Sequence, residues 1–181
     1  MNRMHPDLAS IILSEEEIQA RVKELAAQIS KDYQEDDKLY MVGILKGAFI
    51  FLADLARCIE IPHVVDFMAL SSYGKSASSG AVRILMDLRE PVEGQHVLIV
   101  EDIVDSGQTL SYLYRILEER KPASLRTCAM VRKIRDRAKL HVDYVGFEIP
   151  DVWVVGYGLD YADKHRTLPF IAELKREQYQ K

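Results

Sequence analysis

The run Val97-Leu98-Ile99-Val100 constrains the fold more than any other feature of the chain. Four consecutive apolar residues, mostly β-branched and without alternation, predict a strand buried on both faces, as in a parallel sheet covered by helices. Its end is chemically unusual. Glu101 and Asp102 follow at once, then Asp105, then Ser106-Gly107-Gln108-Thr109. Leu110, Leu113, Tyr114 and Leu117 then share one face of a helical pattern. Acids, small residues and hydroxyls therefore gather where a strand ends and a helix begins. In an open α/β sheet that is where ligands bind.

The local physics indicates which ligand. The first turn of a helix leaves backbone N–H groups without partners, and the helix dipole adds partial positive charge there. Ser106, Gly107 and Thr109 allow an anion to approach closely and add hydroxyl donors, which makes a phosphate cradle. Glu101 and Asp102 would repel a phosphate, so they are expected to point elsewhere, toward sugar hydroxyls or a hydrated Mg²⁺. A ribose phosphate carrying Mg²⁺ satisfies both halves of the segment. The plain alternative is a strand, turn and helix capped by Asp105 or Ser106.

At 181 residues the chain is long enough for one well-buried domain. With 48% hydrophobic and 29% charged residues it is ordinary for a globular protein. A formal charge of −4 argues against a nucleic-acid partner, which usually meets a basic surface. Cys58 and Cys128 fit no zinc or redox pattern and are read as buried thiols. The five histidines show no metal-ligand spacing. No apolar run approaches the roughly 18 residues of a membrane span, and no signal-peptide core is present. The expectation is a cytoplasmic protein without a membrane partner.

In chain order, residues 1 to 13 read as a short lead-in. Ser14-Glu15-Glu16-Glu17 is a capping-box pattern. Ile18, Val22, Leu25 and Ile29 follow at helical spacing. Leu39 to Leu45 is a second apolar strand, with Lys46-Gly47 at its end and a helix from about Ala48 to Arg57. Here a strand end meets a helix start with a cation in place of acids, a point charge suited to phosphate. Val64 to Leu70 and the alternating Val82, Ile84, Met86 and Leu88 predict a long hairpin around the serine- and glycine-rich residues 71–80, a candidate lid. The third helix runs to about Arg120 and stops at Pro122. Further strands are expected at Leu125 to Val131, His141 to Phe147 and Val152 to Tyr157. The tail from Leu168 to Lys181 holds Ile171 and Leu174, then becomes polar and is expected to fray.

The segment Val-Glu-Asp-Ile-Val-Asp-Ser-Gly-Gln-Thr strongly resembles the phosphoribosyl pyrophosphate signature of the type I phosphoribosyltransferases, in the form found in hypoxanthine-guanine phosphoribosyltransferases. The resemblance extends along most of the chain. It implies an α/β fold with a mostly parallel central sheet flanked by helices and a small hood subdomain. The division it suggests is one domain over 1–181, with a core at about 39–132 and a hood from the N-terminal part and about 133–181. It implies purine salvage, in which phosphoribosyl pyrophosphate and hypoxanthine, with guanine as a second base, give the nucleoside monophosphate and pyrophosphate. Mg²⁺ is the implied cofactor, and a homodimer or homotetramer the implied assembly.

The roles it implies run through the whole chain. Lys46 and Gly47 form the pyrophosphate loop, with a cis Leu45–Lys46 peptide. Ser72 and Tyr73 cover the pyrophosphate. Glu101 and Asp102 hold the ribose hydroxyls and the metal, with Asp160 as a further metal contact. Asp105 manages the proton on purine N7, and Asp105, Ser106, Gly107, Gln108 and Thr109 anchor the 5′-phosphate. Lys133 addresses the purine 6-oxo group, with Arg132 as a rival register. Trp153 stacks on the base, the Val154 backbone reads its edge, and Arg166 contacts pyrophosphate.

Two other readings stay open. One is a regulator of the same fold that binds nucleotide and RNA. The other is a Mg²⁺-dependent aspartate receiver or phosphatase of similar architecture.

Overall fold

The structure, a computed structural model, describes residues 5–33, 38–72, 82–134 and 141–179, with the side chains of Ser72 and Val82 outside the description. The elements in chain order are β1 (Leu8–Leu13), α1 (Glu15–Asp32), β2 (Leu39–Leu45), α2 (Phe49–Cys58), β3 (His63–Ser72), β4 (Val82–Met86) and β5 (His96–Val104). They continue with α3 (Gln108–Glu118), β6 (Ser124–Lys133), β7 (Tyr144–Ile149), β8 (Val154–Val155), β9 (Ile171–Leu174) and the single turn α4 (Arg176–Tyr179). Six strands form one sheet in the order β4-β3-β2-β5-β6-β7. All its pairings are parallel except β3 with β4.

β5 sits inside this sheet and is buried on both sides, as its composition requires. Val97, Leu98, Ile99 and Val100 have no measurable exposure. Successive side chains leave a strand on opposite faces. Leu98 and Val100 join the cluster made with α1 and α2, whereas Val97 and Ile99 join the cluster made with α3. Cutting one such leucine to alanine typically costs about 2 to 5 kcal/mol.

The helices follow their sequence signals. Ser14 caps α1 through a reciprocal box: the Glu17 N–H donates to Ser14 Oγ at 3.2 Å, and the Ser14 N–H donates to Glu17 Oε2 at 2.8 Å. α1 buries Ile18, Val22, Leu25 and Ile29, α2 buries Phe51, Leu52 and Leu55, and α3 buries Leu110, Leu113 and Leu117. Cys128 is buried as expected, and Cys58 only partly.

The two chain ends differ from expectation. The lead-in and the tail are strands: β1 pairs antiparallel with β9, and β9 with β8, in a separate three-stranded sheet. Leu8, Val155, Ala172 and Leu174 form its small core. β7 extends the large sheet by pairing parallel with β6. β8 is only two residues long. Positive φ at Gly156, Tyr157 and Gly158 turns the chain where a strand to Tyr157 was expected.

Strand order places the site. β2 connects to β3 on one side, and the next parallel strand, β5, lies on the other side of β2. The switch point, and the crevice it opens, is therefore at the carboxyl ends of β2 and β5. Those are the ends that carry Lys46-Gly47 and Asp102 to Gly107.

Candidate functional site

Past Val104 the chain turns through Asp105, Ser106 and Gly107 into α3. Gly107 takes the N-cap position with φ 75°, in the left-handed region that favours glycine. No side chain caps the helix. Ser106 Oγ lies 3.5 Å from the Gln108 N–H, at the outer limit of a hydrogen bond. The plain capped-turn alternative is thus not what forms. A cavity of about 250 Å³ is lined by the stretch from Glu101 to Leu110. First-turn amides left without a side-chain cap suit an anion there.

Glu101 is almost fully buried. Burial, and then the charge of Asp102, push its carboxyl well above the usual range. Asp102 is pushed up to about 6, chiefly by burial; the N–H of Ile103 and Arg166 oppose this, and Asp160 adds to it. Adjacent carboxylates held above their ordinary pKa form a site short of positive charge, with oxygen donors only. That donor set fits Mg²⁺.

The β2–α2 loop is wedged against these acids. The Leu45–Lys46 peptide is cis. A Cβ on Gly47 would stand 1.6 Å from Asp102 Oδ2, so only glycine fits. On its other side, a Cβ on Gly158 would stand 2.0 Å from the Gly47 carbonyl oxygen, and Gly158 has φ +101°. The Lys46 ammonium pairs with Asp163 at 3.2 Å. Arg166 pairs with the same Asp163 at 3.0 Å and with Asp160 at 2.7 Å, and donates to the Gly158 carbonyl at 2.9 Å. Asp160 also accepts from the Asp163 N–H at 2.7 Å. Hydrogen bonding from Arg166, then from Lys46, holds Asp163 below the ordinary carboxylate value.

A second cavity, of about 220 Å³, is lined by Asp105, Lys133, Trp153, Val154, Leu159 and Asp160, and shares Asp102, Ile103 and Asp105 with the first. Lys133 Nζ lies 3.3 Å from Asp151 Oδ1 and 3.5 Å from Asp105 Oδ2, with its side chain only 10% exposed. Arg132 pairs with Glu148. The structure therefore brings Lys133, not Arg132, to this cavity. Trp153 is 43% exposed rather than core. It meets Tyr161 edge-on and stacks on Tyr179, each at 5.4 Å between ring centres.

Glu101, Asp102, Asp105 to Thr109, Lys133, Trp153, Val154 and Asp160 thus line two adjoining cavities, with Gly47 against Asp102, Arg166 paired with Asp160, and Lys46 joined to Arg166 through Asp163. Tyr73 and the rest of the expected lid over 73–81 lie outside the described residues, as does the Ser72 side chain. Sequence reasoning missed Asp163, Asp151, Gly158 and Tyr179. The Gly-Tyr-Gly spacing carried a signal for Gly158; nothing local marked the others.

The chain belongs to the phosphoribosyltransferase family, whose phosphoribosyl transferase domain model matches residues 9–162. Its curated relatives in that family include hypoxanthine-guanine phosphoribosyltransferases. That of Mycobacterium tuberculosis is 50% identical over 181 residues, spanning 96% of this chain and 90% of the relative. That of Dictyostelium discoideum is 49% identical over 176 residues, spanning 94% and 98%. Among solved structures, a hypoxanthine phosphoribosyltransferase from Staphylococcus aureus superposes with a TM-score of 0.93 at 45% identity over the full length of both chains. The Trypanosoma cruzi enzyme in complex with the product IMP gives 0.90 at 43% identity, covering 98% of this chain and 100% of that one.

Proposed function

We propose that this protein transfers the phosphoribosyl group of 5-phosphoribosyl 1-pyrophosphate to hypoxanthine, and to guanine as a second base, releasing pyrophosphate. The observation that carries the reading is the position of Asp105. It lines both cavities, between the amide cradle at the start of α3 and the Lys133–Trp153 side. The family match and the relatives support transfer chemistry; neither the RNA-binding regulator nor the aspartate receiver gains support.

The 5′-phosphate sits on the first-turn amides of α3, with Ser106 and Thr109 adding hydroxyls. That anchor fixes the sugar C1 against the base, which is catalysis by proximity. Glu101 and Asp102 take the ribose hydroxyls. As the C1–oxygen bond breaks, its electron pair leaves on pyrophosphate and the ring gains positive charge. Lys46 and Arg166 exchange Asp163 and Asp160 for the departing pyrophosphate oxygens, an electrostatic stabilisation in a preorganised site. A base nitrogen bonds to C1, and the proton that the base gives up at N7 passes to Asp105. Lys133 donates to the 6-oxo group, Trp153 stacks on the ring, and the Val154 backbone meets its edge.

The implied Mg²⁺ would be held by Glu101 and Asp102, with Asp160 joining once Arg166 has turned to substrate. It would supply positive charge to the leaving group. The three-stranded sheet is the hood over the base. A cytoplasmic setting and a homodimer or homotetramer complete the proposal; among the described residues no helix is long and apolar enough to cross a membrane.

The test is a substrate panel of hypoxanthine, guanine, xanthine and adenine with Mg²⁺ and phosphoribosyl pyrophosphate. The 6-oxo bases hypoxanthine and guanine are expected to yield nucleotide and pyrophosphate. Turnover of adenine alone would overturn the reading.

A further inference from the structure

We infer that His5, Asp7 and His165 form a binding site for one divalent transition ion of the Zn²⁺ class, apart from the carboxylate site above. The three side chains each offer one ligand atom, all within 4.8 Å of one another. Asp7 Oδ2 is 3.4 Å from His5 Nδ1 and 3.4 Å from His165 Nε2. These separations are long for hydrogen bonds, which close to about 2.7–3.2 Å. The two carboxylate–imidazole separations match those between ligands of a tetrahedral zinc, which at about 2.0–2.1 Å from the ion stand about 3.3–3.4 Å apart. Two imidazoles and a carboxylate, with water in the fourth position, is a donor set that borderline ions prefer and Mg²⁺ does not.

Backbone bonds hold the ligands in place from both sides. The Leu8 N–H donates to the His5 carbonyl at 3.0 Å, and the Lys175 N–H to the Asp7 carbonyl at 2.9 Å. The His5 Nδ1 lone pair is turned inward, where it accepts from the Asp7 N–H at 3.3 Å, a contact that an ion would loosen. The His165 side chain is only 9% exposed, while His5 stays open to solvent at 49%. His165 has φ 72°, a left-handed conformation that histidine adopts at a cost, and its ring packs edge-on against His5 at 4.8 Å. The ion would tie the start of β1 to the turn that carries Arg166.

The test uses the full chain stripped of metal and then given Mg²⁺ in large excess to fill oxygen-only sites. Titration with Co²⁺ is expected to give the strong visible bands of a four-coordinate ion, saturating at one per chain. His165→Asn is expected to abolish them. Asparagine tolerates positive φ, so the backbone is kept while the ligand is lost. With Zn²⁺ at a hundredfold excess over its dissociation constant, the melting temperature of the unaltered protein is expected to rise by about 5 to 10 °C. That rise should vanish in His165→Asn. If the metal-free melting of His165→Asn differs from the parent, His5→Gln, altered at the exposed end, replaces it in both measurements. The weak spectrum of a six-coordinate ion in the parent would overturn the assignment. So would the same bands, or the same thermal shift, in the variant.

Discussion

The Lys133 ammonium stands 3.5 Å from an Asp105 carboxylate oxygen, a pairing that joins the end of β6 to the turn after β5. Parallel pairing of the two strands delivers both groups to one edge of the sheet. A cation placed there suits the 6-oxo acceptor of hypoxanthine or guanine and finds none on adenine. Removing a charged hydrogen bond costs about 1.5 to 3 kcal/mol. Lys133→Met should therefore lower kcat/KM for hypoxanthine by roughly ten- to a hundredfold. The discrimination against adenine should shrink as well. Steady-state kinetics with both bases checks this, and an unchanged ratio between them would remove Lys133 from base recognition.

Gly158 is expected to be intolerant of any side chain. Its φ of +101° and the 2.0 Å approach of a Cβ to the Gly47 carbonyl act together. Gly158→Ala should cost about 1 to 3 kcal/mol from backbone strain alone. It should also push the Lys46-Gly47 loop toward Asp102, so that the KM for phosphoribosyl pyrophosphate rises more than the KM for the base. Thermal melting and the two KM values measure these effects separately. Equal stability and kinetics in the variant would refute the wedge.

The buried carboxylate of Asp66 sets an acid limit on stability. It is 4% exposed and accepts from the Tyr40 hydroxyl at 2.7 Å, the Arg89 N–H at 2.9 Å and the Phe67 N–H at 2.8 Å. Burial pushes its pKa up, but these donors and the Arg89 charge outweigh that and leave it below the ordinary value. A depressed folded-state pKa gives stability that is present above the unfolded pKa of about 3.9 and is lost as pH falls through the folded one. Asp66→Asn should be less stable at pH 7 by about 1 to 3 kcal/mol, with a shallower loss below about pH 4. Denaturant melts across pH decide it; parallel acid limbs in the two proteins would contradict the assignment.

Local signals were legible in the sequence. The unbroken Val97-Leu98-Ile99-Val100 run identified a two-sided strand, and Ser14 with Glu17 identified the start of α1. Lys46-Gly47 and Asp105 to Thr109 marked the ends of the two neighbouring strands β2 and β5, where the order of the sheet reverses. What stayed hidden depends on contacts between distant parts of the chain. β1 shows no clean alternation, and its partner β9 comes from the opposite end, with Leu8 opposite Leu174. Asp163 looks like any surface acid until the turn after Tyr161 brings it to both Lys46 and Arg166. The choice between Arg132 and Lys133 turns on a one-residue register, and one residue flips a strand side chain to the other face. Pairing of β6 with β7 sends Arg132 to Glu148 and leaves Lys133 for the cleft.

The central claim is that the Asp105 carboxylate, at the junction of the two cavities, takes the purine proton during transfer. The most direct measurement is the steady-state rate of IMP formation by Asp105→Asn at saturating hypoxanthine and phosphoribosyl pyrophosphate. Asparagine keeps the shape of the side chain but cannot hold the proton. The predicted result is a fall in kcat of about 10² to 10⁴-fold, with the KM for hypoxanthine little changed. A kcat equal to that of the unaltered enzyme would contradict the account.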